Sequence, residues 1–193
     1  NVNEEQVAQI ASGDFTRVRG KVQLYQGSLQ IIVAGIQKAT SEGLDLNDFQ
    51  PATARDVERL RKRLTEILRT ITNPHLLALM EGFLSDEPLM NDFARAPAGV
   101  KTHHAYHGGL MEHVVNILET AVRIADLYPE VDRDLLLTGI FLHDFGKVRE
   151  LSYDATMVYT DEGQLLGHLI IAIEILTKKI AETELRAGQP FPE

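Results

Sequence analysis

The sequence contains no cysteine. No disulfide framework can form and no thiolate is available to a zinc site, so any metal must be held by imidazole and carboxylate. Long apolar runs are missing too. The longest, such as Leu135-Leu136-Leu137 and Ile170-Ile171-Ala172, fall far short of the roughly 20 residues that cross a bilayer. These absences make the cytoplasm the expected setting and exclude a membrane-spanning role for the sequence. A basic surplus is also lacking: 19 Lys and Arg stand against 28 Asp and Glu, a formal charge of −9. That balance argues against nucleic-acid binding by general electrostatics and leaves room only for a local basic site. Residues 1–50 hold four Lys/Arg against six Asp/Glu, a net of −2, which leaves −7 for residues 51–193. Neither part is basic, and no internal repeat or low-complexity segment is found.

With 193 residues, 44% of them hydrophobic and 24% charged, the chain can bury a core, as one domain or as a domain with a fragment of another. Its patterning changes once. From Phe15 to Val33 the alternation is that of strands: Val18, Val22 and Leu24 share one parity around Gly20. Leu29, Ile31 and Val33 follow the turn-like Gln26-Gly27-Ser28. One β-hairpin is expected, with a bulge or bend at Gly20 of the kind that curls small sheets into barrels. An isolated hairpin is only marginally stable, so it must pack on something or belong to a larger barrel. Residues 39–51 mix Thr, Ser, Gly, Asp and Asn around Leu44, Leu46 and Phe49, which suits a linker and places the domain boundary near residue 50.

Beyond the linker the period becomes helical. Val57, Leu60, Leu64, Ile67, Leu68 and Ile71 form an apolar stripe that stops before Asn73-Pro74, and two shorter helices are expected over 75–85 and 87–94. A loop through Pro97, Gly99 and Lys101 leads into His103-His104-Ala105-Tyr106-His107-Gly108-Gly109. Residues 110–128 predict an amphipathic helix closed by Pro129, burying Leu110, Val114, Ile117, Ala121 and Ile124, with His113 on the same side. Either Asp132 or Asp134 can cap the next helix, in which Leu135, Leu136, Ile140 and Phe141 precede His143-Asp144-Phe145-Gly146-Lys147, with Gly146 as a stop signal. Residues 153–163 read as a β or turn excursion bending at Asp161-Glu162-Gly163, and 165–185 as a last helix that carries His168.

Five of the seven histidines fall between His103 and His143. Divalent transition metals favour neutral imidazole and carboxylate, and a catalytic site must hold the ion while leaving positions open to water and substrate. His113, His143 and Asp144 can supply such a set if the helices of 110–128 and 132–142 cross. Taken singly, His113 reads better as a hydrogen-bonded core residue and His143-Asp144 as a common dipeptide. Their order and spacing, a core-facing histidine and then, thirty residues on, an apolar helix ending in His-Asp-x-Gly-Lys, make the pattern specific.

His113 with Leu142-His143-Asp144-Phe145-Gly146-Lys147 resembles the HD superfamily of metal-dependent phosphohydrolases. Within it, three segments are similar to the YhaM-type 3′-to-5′ exoribonucleases, in which an OB-fold precedes the HD domain: Lys101 to His113, Gly163-Gln-Leu-Leu-Gly-His168, and the hairpin start Gly13 to Val22. The resemblance implies a mainly α chain, an HD helical bundle over 51–193 preceded by a β-hairpin remnant of an OB-fold within 1–50. It implies that His113, His143 and Asp144 bind one divalent ion, that Asp144 bridges if two ions are held, and that His168 serves the second. Manganese is the expected metal. Asp144, Lys147 and His104 are the expected catalytic residues. Lys147 would steady phosphate charge, a cation at a helix C-terminus being its other reading. His103, His104 and His107 would touch substrate or donate a proton to the leaving group, with support of the ligands from behind as the competing role.

The HD pattern also carries a further Asp ligand on a later helix, preceded in YhaM-like chains by a His-His pair. After His168 this sequence has only Glu174, Glu182, Glu184 and Glu193 as acids and no histidine. The expectation is a chain that lacks the start of the OB-fold and the C-terminal part of the HD domain. On the hairpin, Arg17, Arg19, Lys21 and Tyr25 have the basic and aromatic mix with which OB-folds hold single strands. The basic run Arg59, Arg61, Lys62 and Arg63, interleaved with Asp56, Glu58 and Glu66, reads better as a solvated helix face than as an RNA guide. The function expected is removal of nucleotides from the 3′ end of single-stranded RNA, with DNA second and a homo-oligomer allowed. The alternatives are an HD phosphohydrolase of a free or cyclic nucleotide, and a non-catalytic nucleic-acid-binding or assembly module.

Overall fold

The computed structural model describes residues 8–11, 13–40, 42–44, 53, 55–100, 104–152 and 157–192. They form two compact units, one built on the N-terminal hairpin and one on the helices that follow.

In the first unit β1 (Thr16–Tyr25) pairs antiparallel with β2 (Ser28–Lys38). Gln26 and Gly27 connect them with φ of 47° and 81°, both left-handed, which matches the twist of a two-residue hairpin turn. The expected irregularity lies at Gly20: Arg19 faces Gly35 but Gly20 faces Val33, so β2 carries one extra residue, Ala34. Glycine is required there, because a Cβ would stand 2.3 Å from the Ile32 carbonyl oxygen. Alternation puts Val22 opposite Ile31 and Leu24 opposite Leu29 on one face, and Arg17, Arg19, Lys21 and Tyr25 on the other. The apolar face is exposed, Leu29 to 77%. Among the described residues this sheet has two strands, so the barrel closure that would mark an OB-fold is not seen.

The second unit is mainly helical: α1 (Val57–Leu68), α2 (Pro74–Leu84), α3 (Glu87–Arg95), α4 (Gly109–Ile124), α5 (Arg133–Leu142), α6 (Lys147–Glu150) and α7 (Asp161–Ala187). A short ladder of β3 (Leu151–Ser152) with β4 (Val158–Tyr159) lies between the last two. Polar side chains start most of these helices by accepting orphan backbone N–H groups, α4 and α6 being preceded instead by Gly108 and Gly146. Asp56 caps α1, Asn73 caps α2 with Pro74 at its first position, Asp86 caps α3 and Asp132 caps α5. The α1 stripe Leu60, Leu64, Ile67, Leu68 and Ile71 is buried as its period predicts, against α4, which also packs on α3 and α5.

Three expectations need correction. Residues 110–128 are not one helix: α4 ends at Ile124 and tightens into a 3-10 turn over Ala125–Leu127, which leaves Ile124 exposed. In α5 the buried side is Leu137, Thr138 and Phe141, while Leu135 is 60% exposed, because Phe141 aligns the helix on a cluster with Phe83, Phe93 and Phe145. The bend expected at Asp161-Glu162-Gly163 is instead the first turn of α7. Thr160 Oγ1 accepts from Gly163 N at 2.9 Å, and Gly163, lacking a Cβ, lies directly on the Glu150 carbonyl.

Asp134, the other candidate cap for α5, ties the start of that helix to the α1–α2 loop. It accepts from Thr72 N at 2.9 Å, Thr72 Oγ1 at 2.7 Å and Asn73 N at 2.8 Å. Burial pushes its carboxyl up, but these bonds, with Arg133 beside it, outweigh burial and hold it below its ordinary 3.8. A carboxyl whose folded pKa is depressed stabilises the fold above its unfolded value and ceases to as pH falls through the folded one. Asp134→Ala is therefore expected to lose about 1–3 kcal/mol near neutral pH by urea denaturation. The gap to wild type should narrow below the usual carboxylate range, and an acid-independent gap would contradict this account.

Candidate metal centre

The local anchor of the site is apolar. Phe83, Phe93, Phe141 and Phe145 are all fully buried and touch ring to ring. Phe93 stacks on Phe145 at 4.9 Å between centroids, and Phe83 meets Phe141 and Phe145 edge-on at 5.5 and 5.1 Å. Phe141 and Phe145 also meet each other, at 5.2 Å, so the two residues that bracket His143 and Asp144 are pinned in the core. Between them the chain leaves α5 in tight turns, with Phe145 N donating to Leu142 O and Lys147 N to Asp144 O, both at 3.0 Å.

Asp144 is 8% exposed, and three imidazoles surround its two oxygens. Its Oδ2 lies 3.6 Å from His113 Nε2, on α4, and 3.5 Å from His143 Nε2; its Oδ1 lies 3.5 Å from His168 Nε2, on α7. The ligand atoms of His113, His143 and Asp144 all fall within 4.8 Å of one another. Donors about 2.0–2.2 Å from a shared ion, at tetrahedral to octahedral angles, stand roughly 3–3.5 Å apart, so the spacing fits a metal. The proton positions fit as well. His143 Nδ1 is 2.7 Å from the Ile140 carbonyl oxygen, which can only accept, so Nδ1 carries the hydrogen and Nε2 presents a lone pair to the centre.

Lys147 does not close a helix C-terminus. It opens α6, and its Nζ donates to Ala98 O at 2.5 Å while standing 3.3 Å from Asp144 Oδ2. Gly146 is not a left-handed stop either: its backbone is right-handed, and a Cβ there would come within 2.0 Å of His168 O, so its smallness lets α7 approach. His104 reaches the group through its ring, 5.4 Å from that of His113. His107 contributes its backbone, the carbonyl accepting from Thr53 N at 2.8 Å. His103 lies outside the described residues. Arg17, Arg19, Lys21 and Tyr25 lie on the hairpin, in the other compact unit.

Sequence reading missed two supports of this centre. Glu112 accepts from Thr53 Oγ1 at 2.5 Å and Tyr106 OH at 2.9 Å, fastening the histidine loop to the turn before His113. Burial pushes the Glu112 carboxyl up, but those hydroxyls and Arg55 more than offset it and hold it low. Burial, and then Glu112 itself, push the Tyr106 phenol up to about 12. The other missed residue is Glu150, buried behind His168. Both glutamates sit on helices whose polar positions look solvated, and the one signal was position: Glu112 adjoins His113, and Glu150 follows the His143-Asp144 turn.

The family comparison falls on this same stretch. Residues 110–187 match the HD domain. That match spans His113, His143, Asp144 and His168, and it supports the HD superfamily part of the resemblance, whereas His104 and His107 lie outside it. HD domains form a family of metal-dependent phosphohydrolases that bind divalent ions, and the His113, His143 and Asp144 group can hold one. No solved structure matches the chain. No helix among the described residues is long and apolar enough to cross a membrane.

Three substitutions separate ligation from packing. Asp144→Ala or His143→Ala is expected to abolish uptake of a divalent ion by calorimetric titration while leaving the far-ultraviolet helix signal nearly intact. Phe145→Ala should instead cost about 3–5 kcal/mol of stability through the cavity it opens. Unchanged metal stoichiometry in the first pair contradicts the ligand assignment.

Proposed function

We propose that this chain is a divalent-metal-dependent phosphodiesterase that removes nucleotides from the 3′ end of single-stranded RNA, with two manganese ions as its cofactor. The observation that carries the hydrolytic part is the division of Asp144: one carboxylate oxygen faces His113 and His143, the other faces His168. His113, His143, Asp144 and His168 would hold the ions, which when bound would polarise the scissile phosphate and make water nucleophilic at neutral pH.

The chain's own groups do the rest. Lys147, 3.3 Å from Asp144 Oδ2, would balance charge on a phosphate oxygen. His104, whose ring lies 5.4 Å from that of His113, would donate a proton to the leaving oxygen. The Arg17, Arg19, Lys21 and Tyr25 face of the hairpin offers cations and a ring to a single strand. The choice of RNA 3′ ends rests on the likeness of Lys101 to His113, of Gly163 to His168 and of the hairpin to the YhaM-type enzymes.

Four substrates test it, each incubated with the chain and manganese: 5′-labelled single-stranded RNA, single-stranded DNA of the same sequence, a cyclic dinucleotide and nucleoside triphosphates. The expected result is a ladder of RNA shortened from its 3′ end, lost on chelation and at background in Asp144→Ala. Cleavage of the small nucleotides alone would refute the nuclease reading, and inertness toward all four with metal bound would refute the enzyme.

A further inference from the structure

α7 is interrupted at Gly167, whose φ of 71° and ψ of 159° no helix can hold. The amide of His168 therefore starts a fresh helical run, without the carbonyl it would meet in a continuous helix. Glu150 supplies the acceptor: its Oε1 lies 2.9 Å from His168 N. The same oxygen lies 2.9 Å from His168 Nδ1. One carboxylate thus fixes both the backbone and the ring of a single histidine.

A helix start can be capped by Ser, Thr, Asp or Asn at the cap position itself, so a glutamate reaching across from α6 is not needed for capping alone. Glu150 is 7% exposed, and a buried carboxylate costs stability unless it is paired. What it adds is control of the ring. Oε1 already accepts from the backbone N–H of His168, so it accepts from Nδ1–H as well, which turns Nε2 toward Asp144 Oδ1, 3.5 Å away. The backbone keeps the pair together, since a Cβ on Gly146 would stand 2.0 Å from His168 O and 2.8 Å from Ala172 N. Arg149, the neighbour of Glu150, is engaged with Glu162 and Glu174, which ties α6 to α7 from the other side.

We infer that Glu150 is the positioning residue of the centre: it locks the His168 ring with Nδ1 protonated and Nε2 turned to Asp144, preparing His168 to ligate a divalent cation. The ligation half of this inference rests on the metal-dependent reading above; the ring lock does not. A carboxylate behind a ligating imidazole fixes its tautomer and raises its basicity, and loss of such a partner typically lowers metal affinity about 10–100-fold.

The test uses the metal-free chain first. Long-range proton–nitrogen correlation spectra report which ring nitrogen of His168 carries hydrogen, with His168→Gln giving the assignment. The wild type is expected to show hydrogen on Nδ1, Glu150→Ala a mixture of tautomers, and Glu150→Gln, whose amide oxygen can still accept, the wild-type tautomer. Titration with Mn2+ followed by electron paramagnetic resonance should then show the weaker of two sites loosened about 10–100-fold in Glu150→Ala and less in Glu150→Gln. Thermal unfolding guards against a merely destabilised variant; if Glu150→Ala does not fold, Glu150→Gln must still loosen that site, and its failure to do so overturns the inference. An unchanged tautomer and unchanged Mn2+ binding in both variants also overturn it while leaving the hydrolase reading intact. A wild type with the locked tautomer but no Mn2+ uptake refutes the hydrolase reading and leaves the lock standing.

Discussion

The contact of Phe141 and Phe145 with Phe83 and Phe93 is the constraint on which the candidate centre depends. Four of the seven phenylalanines are spent on it, and the two from the His143-Asp144 turn are fully buried. Burying an aromatic side chain contributes on the order of 1.5–3 kcal/mol, and each well-placed ring pair adds about 0.5–1.5. That apolar anchoring offsets the cost of holding Asp144 nearly out of water among three imidazoles. The polar residues of the turn do not form their own framework; the rings on either side impose it.

A second constraint is closeness of backbone. α6 and α7 approach at Gly146 against His168 and at Gly163 against Glu150, and neither contact has room for a Cβ. Helix surfaces normally stand apart by the thickness of their side chains, so two glycines in contact bring His168 and Glu150 within hydrogen-bond range of each other and of the Asp144 turn. Gly167 then performs a different task. Its left-handed φ breaks α7 where the Glu150 carboxylate is waiting, and a helix that ran straight through would offer no free amide at His168. Three glycines in one short region thus act through size twice and through conformation once.

Much of this was legible from residues alone, because it followed from period and residue type. The α1 stripe, the Gly20 bulge and the turn at Gln26-Gly27 rest on local patterns that tertiary structure did not override, while the grouping of His113 with His143 and Asp144 was expected from the order and spacing of its motif. What was not legible depended on partners distant in sequence. Nothing near Asp134 indicated that Thr72 and Asn73 would claim it, or that Asp132 would be left to cap α5. Gly146 and Gly163 read as breakers because glycine usually is one; only the packing of α6 on α7 shows that their lack of a side chain mattered more than their freedom. Glu150, four residues past Gly146, belonged to no motif until its neighbours were fixed.

The charge of the molecule gives the last link between structure and proposed chemistry. A chain of net −9 would repel a polyanionic substrate, and the basic run on α1 offsets that only in part, because Arg61 and Arg63 are already paired with carboxylates. Arg61 pairs with Glu87 at 2.7 Å, Arg63 with Glu119 at 3.0 Å, and Arg69 with Glu81 at 2.7 Å. Exposed pairs of this kind add little stability, and these serve to fasten α1 and its C-terminal end to their neighbours. At the candidate centre itself one ammonium, Lys147, stands beside the Asp144 carboxylate, with Glu150 behind His168. Divalent ions bound among these groups would be the largest local charges and would reverse the sign of the site. In the proposed reaction, therefore, attraction of a phosphate to this acidic chain depends on the bound ions as much as its cleavage does.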